Sequence, residues 1–289
     1  MTSEGGGAVA FPVMTLGLKI APAVARDFSL IVQAIGMSCA MFAIVFMNVQ
    51  IEKRAVIFGT MGSIPGFVFG SLCVDPLLAP PQKKMLFVSI WSSFAIALWM
   101  LNSHSHRKTY LIIPDFKLWK ALVLMCTGFI GGIFTSFAGS GVDICIFSIV
   151  TLLFRVTEKT ATPTTIVLMG MNSVVGVYYR AVWEGELSPL ALDYIKCTVP
   201  VAVTLAPVGS FLGSHFHRQV LAAFIYILES LAVVGFLITR PPQLLLLTGG
   251  CIILVSFVFF SLITRAGENI MENIEGAKKG VESDSMLEA

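Results

Sequence analysis

The sequence predicts an all-α, polytopic integral membrane protein built from two inverted repeats, each with a broken helix. Three observations lead to this prediction: the composition, the spacing of the charges and an internal repeat. Hydrophobic residues make up 56% of the chain, charged residues 12%, and the mean hydropathy is +0.87. In soluble domains roughly a quarter of the residues are charged. The composition therefore excludes a soluble globular protein.

Six long windows of the chain contain no Asp, Glu, Lys or Arg. They cover residues 28–51, 55–74, 85–101, 121–142, 160–179 and 243–264. A helix needs about 20 apolar residues to cross a bilayer, so each window predicts a membrane-spanning helix in contact with lipid. The net charge is only +2, and no basic cluster with interleaved aromatic residues occurs. We therefore expect the lipid bilayer, and not nucleic acid, to be a partner.

The opening residues of the chain recur 136 positions later. The matched pairs are Gly5 and Gly141, Phe11 and Phe147, Thr15 and Thr151, Leu16 and Leu152, Lys19 and Arg155, Ala25 and Ala161, and Ser29 and Thr165. Each copy has small residues, a short apolar run, a basic break and a long apolar helix. This layout is typical of duplicated transporters with interrupted helices. A second landmark, Gly66-x-x-x-Gly70-Ser71, recurs as Gly209-x-x-x-Gly213-Ser214, and close helix packing explains it best.

The elements follow in order from these patterns. The first repeat, residues 1–102, has a short segment at 8–18 and helices near 26–50, 55–74 and 85–102. A polar connector occupies 103–117. The second repeat, 118–264, has helices near 118–138, 160–182, 190–213, 217–238 and 243–264, with a short segment at 143–154. Residues 265–289 hold six acids and three bases, and we expect a polar C-terminal tail without fixed structure.

Two expectations concern completeness and orientation. The first repeat has no counterpart to the helix at 118–138, so we expect that the chain is truncated or has lost that helix. If the segment 143–154 completes one crossing, the basic residues divide 12 to 7 between the two sides; if it dips and returns, they divide 9 to 10. Because basic residues concentrate on the cytosolic side, we favour inverted repeats with a cytosolic C-terminus. The plasma membrane is the default location.

Two glycine-rich breaks are the first place to expect a site. Broken backbone inside a membrane is tolerated only where it is buried in protein or lines a cavity. Glycine lets backbone N–H groups approach a ligand closely, and the start of a half-helix favours an anion. The alternative is that these glycines only permit a tight turn between helices. The residues of the two breaks are Gly5, Gly6, Gly7, Gly139, Ser140 and Gly141.

Polar side chains beside the breaks are further candidates for substrate binding. Ser29 and Thr165 lie one turn into the next helix of each repeat, with Gln33 and Asn172 further along. Hydroxyl and amide groups can bind an oxyanion without a permanent charge, which favours release as well as binding. The alternative is that each hydroxyl bonds to its own helix backbone, as is common in membrane helices.

Two acids are candidates for proton coupling. Glu229 stands near the middle of the apolar helix at 217–238, and an ionisable residue at that depth is expensive and marks a functional candidate. The alternative is a protonated Glu229 that is hydrogen-bonded to a neighbouring helix. Asp143 follows the second break, where it would repel an anion or cap the short helix. The six scattered cysteines have no metal-ligand spacing, and we expect no cofactor and no metal.

The motifs resemble a known family. The pattern Gly-Gly-Gly-x-x-x-Phe-Pro (5–12), Leu16-Gly17 and Ala25-x-x-x-Ser29 is similar to the first repeat of the sulfite exporter TauE/SafE family. Gly128-Phe-Ile-Gly-Gly132, Gly139-Ser-Gly141 and Ala161-x-x-x-Thr165 resemble its second repeat. The similarity spans roughly residues 5–264. It implies a polytopic permease for sulfite, organosulfonates or related small anions.

The chain departs from the family pattern at the breaks. Ser140 interrupts the second glycine run, Asp143 follows it, and Pro12 has Ser148 as its counterpart, so the two half-helices need not be equivalent. We predict a secondary transporter of a small anion that works by alternating access, and not an enzyme. A non-transporting scaffold or receptor subunit is the first alternative, and a membrane-embedded enzyme the second. The sequence does not determine the oligomeric state.

Overall fold

The computed structural model of the protein describes residues 6–103, 109–215 and 218–287. The first half begins with the short helix α1 (Gly6–Pro12), which continues into a π-turn at Val13–Gly17. Three long helices follow, α2 (Pro22–Phe46), α3 (Lys53–Phe69) and α4 (Pro80–Ser103). A π-turn at Gly70–Val74 and a 3-10 turn at Asp75–Leu77 extend α3.

The second half begins with the long helix α5 (Leu118–Ala138). A short helix, α6 (Val142–Ser148), follows it and continues into a π-turn at Ile149–Leu153. The remaining helices are α7 (Glu158–Tyr178) with a π-turn at Tyr179–Glu184, α8 (Pro189–His215), α9 (Arg218–Ile238) and α10 (Gln243–Leu287).

The all-α, polytopic fold that the sequence predicts is confirmed. Within the described ranges there is no strand, and one isolated β-bridge joins Tyr110 to Val156. Six helices in this part of the chain are long and apolar enough to cross a membrane. They span Pro22–Phe46, Lys53–Leu77, Pro80–Asn102, Leu118–Ala138, Glu158–Glu184 and Gln243–Glu272.

The main differences from the sequence-based element boundaries are at the start of α4 and at the end of α10. Helix α4 begins at Pro80, earlier than the predicted 85, because proline is well suited to the first helical turn. Gln82 Oε1 also accepts a hydrogen bond from the Ala79 N–H at 2.8 Å. The expectation of a C-terminal tail without fixed structure was wrong: α10 continues as one helix to Leu287. The segment contains no proline and many good helix formers, so its polarity does not prevent a helix.

The repeat is visible in the backbone as well as in the sequence. α6 and its π-turn occupy the positions of α1 and its π-turn shifted by 136 residues. Lys19 and Arg155, which are equivalent, both have φ of 55°. Leu18 N–H donates to Val13 O at 2.9 Å, and its counterpart Phe154 N–H donates to Ile149 O at 3.2 Å. The same local sequence pattern therefore produces the same broken helix in each half.

The helices α2 and α7, which are equivalent in the two repeats, run antiparallel. At the start of α2, the carboxylate of Asp27 accepts a hydrogen bond from Arg180 Nε, beyond the end of α7, at 3.2 Å. Just after α2 ends, Glu52 N–H donates to Thr164 Oγ1, near the start of α7, at 2.8 Å. We call these two ends of the bundle the Arg26 end and the Glu52 end.

Glycines allow α3 to pack closely against α5. A Cβ on Gly66 would lie 2.1 Å from Phe129 O, and one on Gly132 would lie 2.2 Å from Ser63 O. Neither space admits a side chain, so the two backbones are nearly in contact. This packing confirms that Gly66 serves the close packing of helices. It also fixes the end of α5, where the second glycine break begins.

Candidate functional site

The second glycine break turns the chain from α5 into α6. Gly139 has φ of 78° and Gly141 has φ of 152°, conformations that residues with a Cβ rarely adopt. Gly139 N–H donates to Thr135 O at 2.8 Å and so ends α5. A Cβ on Gly139 would lie 2.8 Å from Arg26 O. The break therefore requires glycine for its backbone conformation and for its contact with α2.

The start of α6 is capped from within the chain. Asp143 Oδ1 accepts a hydrogen bond from Gly141 N–H at 3.2 Å and from Ser140 Oγ at 3.4 Å. Thr135 Oγ1 accepts one from Val142 N–H at 3.2 Å. Asp143 is fully buried, and its Oδ2 has no hydrogen-bond partner among the described residues. The positive end of α6 thus already holds a negative charge that belongs to the protein.

A cluster of polar groups joins this break to α2. Gln33 Nε2 donates to Ser29 Oγ and to Gly139 O, both at 3.1 Å. Ser29 and Gln33 are 0% and 1% exposed. We call Ser29, Gln33 and Gly139, with Ser140 and Asp143 beside them, the Ser29 cluster.

The Ser29 cluster has unused hydrogen-bonding capacity. Ser29 Oγ accepts the bond from Gln33, which leaves the Ser29 hydroxyl proton to donate to a substrate oxygen. Gln33 Oε1 is buried without a partner within the described ranges. As an acceptor, this oxygen would bond to a water molecule or to a protonated substrate oxygen.

A small cavity of about 10 Å³, room for about one water molecule, lies between α3, α5, α6 and α7. Its polar lining comes from Ser63, Thr135 and Asn172. Ser63 Oγ donates to Asn172 Oδ1, and Asn172 Nδ2 donates to Leu168 O at 2.7 Å. Thr135 belongs both to the cavity lining and to the cap on α6. Thr135 and Val142 therefore place the cavity next to the start of α6.

The structure brings together some of the candidate residues but not all of them. Thr165 Oγ1 donates to Ala161 O at 3.2 Å and Thr162 O at 3.0 Å, the self-bonded arrangement that the sequence left open. No hydrogen bond among the described residues joins Thr165 to the Ser29 cluster. Of the first break, Gly6 and Gly7 begin α1, and Gly5 lies outside the described residues.

A second polar group, which the sequence does not single out, lies at the Arg26 end. Asp27 Oδ1 is 3.1 Å from Arg26 Nε and 3.2 Å from Arg180 Nε. Arg26 Nη1 is 2.7 Å from Asp75 Oδ2, and Lys83 Nζ is 2.6 Å from Asp75 Oδ1.

Arg180 Nη1 also pairs with Glu184, and the Glu184 carboxylate accepts a hydrogen bond from Ser71. Three acids and three bases thus form one group with no net charge. We call Arg26, Asp27, Asp75, Lys83, Arg180 and Glu184 the ionic network.

The profile of one protein family, the sulfite exporter TauE/SafE family, matches residues 1–238. The chain belongs to the sulfite exporter TauE/SafE family. Comparison with curated proteins and with solved structures gave no significant match. The resemblance inferred from the two glycine motifs is confirmed. TauE/SafE proteins are membrane transporters of sulfite and related anions, so this multi-pass chain is a membrane anion transporter by family.

The family match places helices α1 to α9 within the TauE/SafE unit and leaves α10 after it. Glu229 lies in α9, the last helix of that unit. Its side chain is 7% exposed, and its Oε2 has no hydrogen-bond partner within the described ranges. In the first repeat the equivalent residue is Ser93, whose hydroxyl donates to Ser89 O at 2.6 Å. This acid therefore belongs to the second repeat alone.

The site residues that were not predicted have only weak signals in the sequence. Arg26 and Asp27 precede one charge-free window and Arg180 follows another, so each looks like an ordinary charge at a membrane interface. Their pairing depends on the antiparallel contact of α2 with α7, which no local pattern reports. Ser63 and Thr135 lie in apolar helices and have no distinguishing spacing.

Proposed function

We propose that the protein is a secondary transporter that exports a small oxyanion, sulfite or an organosulfonate, by alternating access. The observation that carries the proposal is the contact of the Gly139 break with Ser29 and Gln33 inside an apolar bundle. Broken backbone, a hydroxyl and an amide are brought together there without a free cation. Such a site offers hydrogen bonds to an oxyanion and still allows its release.

We also propose that the two halves, residues 1–102 and 118–264, are inverted repeats joined by the connector 103–117 and followed by the tail 265–289. The antiparallel α2 and α7 support this arrangement. The division of basic residues 12 to 7 between the two sides also supports it, since Arg26, Lys83 and Arg180 meet at one end. In this scheme the Glu52 end is cytosolic, the C-terminus is cytosolic, and the protein resides in the plasma membrane.

The substrate site would be shared unequally between the repeats. In the described conformation the Ser29 hydroxyl would donate to the anion. Gln33 Nε2, Gly139 N–H, Ser140 Oγ and Gly141 N–H already donate within the protein, so they would contact the anion by exchanging those bonds. We propose that Thr165, Asn172 and the first break, Gly5, Gly6 and Gly7, bind the anion in a second conformation. In that conformation the break and the hydroxyl of one repeat take the place of those of the other.

Flux of ³⁵S-labelled sulfite from proteoliposomes that contain the full chain tests the function. We expect wild-type flux that unlabelled sulfite or a small sulfonate inhibits. Ser29→Ala should raise KM roughly three- to thirtyfold, because one good hydrogen bond to an anion is lost.

Ser38→Ala is the matched control, since Ser38 lies on the same helix and donates to Ala34 O at 2.5 Å. It should leave KM unchanged. Folded protein that moves no sulfite and no sulfonate would instead support a non-transporting scaffold.

We propose that Glu229 and Asp143 are the proton-coupling groups. Glu229→Gln keeps the shape of a protonated carboxyl but cannot release a proton, so sulfite flux should vary less with pH than in the wild type while the fold is retained. Ser230→Ala, at the next position, is the control, because Ser230 is exposed and donates to Tyr226 O at 2.7 Å. Glu229→Gln flux that varies with pH as in the wild type would exclude Glu229, and the same assay on Asp143→Asn would test the other acid.

A further inference from the structure

We propose that Arg26 and Arg180 form a second anion-binding site on the substrate path, in which the carboxylate of Asp27 holds the place of the substrate oxyanion. This inference rests on the proposed transport of an oxyanion. It assigns a ligand class and a role to the ionic network, which the Ser29 cluster does not require.

The surroundings of Asp27 are those of a bound oxyanion. Its Oδ1 lies 3.1 Å from Arg26 Nε and 3.2 Å from Arg180 Nε. Its Oδ2 accepts hydrogen bonds from Ser188 N–H at 3.0 Å and Arg180 Nη2 at 3.4 Å. Two guanidinium groups and one backbone N–H thus converge on a single carboxylate. Planar guanidinium groups bind carboxylates and other oxyanions by the same paired hydrogen bonds, so sulfite or a sulfonate can use the same donors.

The site adjoins the Ser29 cluster. A Cβ on Gly139 would lie 2.8 Å from Arg26 O and 2.9 Å from Ser29 Cβ. Arg26 Nη1 also lies 3.5 Å from Ser136 O, in the last turn of α5. An anion that leaves Ser29 towards the Arg26 end therefore meets Arg26 within the length of one side chain.

The network can exchange one anion for another. Asp75 is bound to Arg26 and Lys83, and Glu184 is bound to Arg180 and Ser71. These two carboxylates hold the outer sides of both guanidinium groups, so the donors stay in place when Asp27 leaves. A monoanion that replaces Asp27 keeps both guanidinium groups paired. The displaced Asp27 carboxylate takes up a proton or reaches water, because an unpaired buried charge is strongly unfavourable.

Exchange at this site would loosen the Arg26 end. Asp27 and Ser71 belong to the first half, whereas Arg180, Glu184 and Ser188 belong to the second. The bond between Asp27 and Arg180 is a direct link between the halves. A substrate anion that displaces Asp27 breaks that link and bridges Arg26 and Arg180 in its place, so this contact between the halves is open only while the anion is leaving.

Rescue of an Asp27→Ala variant by sulfite tests the site. We measure the unfolding temperature of the full chain in detergent against sulfite concentration. Asp27→Ala should unfold at a lower temperature than the wild type. Sulfite should raise the unfolding temperature of this variant at a concentration at least tenfold below that needed to raise the unfolding temperature of the wild type. Asp27→Ala/Arg180→Gln should lose the rescue. If Asp27→Ala is not obtained in folded form, Asp27→Asn, which removes the charge and keeps the shape, is titrated in the same way.

Glu268→Ala is the matched control. It frees Arg155, a buried arginine that pairs with Glu268 at 2.8 Å and is distant in sequence from the network. Because Arg155 has no second guanidinium among its described bonding partners, sulfite should stabilise this variant no more than the wild type. Equal sulfite responses of Asp27→Ala and wild type, or rescue that persists without Arg180, would overturn the proposal. Rescue without sulfite flux in proteoliposomes would uphold the site and refute the transport function.

Discussion

The broken helices α1 and α6 share a backbone but differ in what surrounds their two ends. Both continue into a π-turn and then into a residue with φ of 55°. At that end Lys19 is exposed, whereas Arg155 is buried beneath α10 and donates to Thr264 O at 3.1 Å. At the other end, the second repeat has the carboxylate of Asp143 where the first has Gly7.

The comparison shows that duplication preserved the geometry of the half-helices while their environments diverged. The internal hydrogen bonds are identical because they depend only on the local chain. The charges at the two ends have changed because they depend on neighbours that the repeats do not share, such as α10. We infer that the half-helix α6 is held more firmly by its surroundings than α1, and the following substitutions test that difference.

The largest effect is expected from a substitution in the second break. Gly139→Ala forces a residue with a Cβ into φ of 78° and places that Cβ 2.8 Å from Arg26 O. The backbone conformation alone costs about 1–2 kcal/mol, and the clash adds to it. The unfolding temperature should fall by roughly 5–10 °C, as measured by thermal unfolding in detergent.

Gly17→Ala in the π-turn of the first repeat provides the control. A Cβ there would meet no heavy atom within 4 Å, so stability should not fall. Equal losses of stability in the two variants would contradict the requirement for glycine at position 139.

An intermediate effect is expected at the equivalent basic residues. Arg155→Gln removes the bonds to Thr264 O and Glu268, which should destabilise the docking of α10 by about 1.5–3 kcal/mol. Hydrogen exchange should increase in α10 and remain unchanged in α2. Lys19→Gln, at the exposed counterpart, should leave exchange unaltered throughout; a comparable increase there would show that Lys19 also holds a neighbouring element.

The smallest effect is expected from the paired threonines inside the half-helices. Thr15 Oγ1 donates to Phe11 O at 2.8 Å, and Thr151 Oγ1 donates to Phe147 O at 2.7 Å. Thr15→Ala and Thr151→Ala should each cost about 0.5–1.5 kcal/mol in chemical unfolding, with similar values in the two repeats. A clearly larger loss at one position would show that the half-helices are not mechanically equivalent.

Much of the fold was accessible from the sequence because it depends on local composition. The charge-free windows correspond to membrane-spanning helices, and α5 occupies the predicted residues 118–138. The offset of 136 residues also holds for the π-turns that follow α1 and α6 and for the positive φ of Lys19 and Arg155. The one clear error, at the C-terminal tail, arose because high polarity was taken to exclude a helix.

The candidate site was only partly accessible. Ser29, Gln33 and the Gly139 break were identified from symmetry, and the structure joins them by hydrogen bonds. Thr165 has the same position in its repeat but bonds to its own helix. Symmetry of sequence therefore predicts where a side chain lies along its helix, and it does not predict which partner that side chain binds.

The sequence by itself determined the class of protein, the positions of the helices, the duplication and the glycine breaks, because apolar length and backbone freedom are properties of short segments. The tertiary structure alone decided that Asp143 caps α6 and that Asp27 lies between Arg26 and Arg180. The physical reason is that the electrostatics of a buried charge depend on its partners in space. For Asp27 and Arg180, those partners are 153 residues apart in the chain.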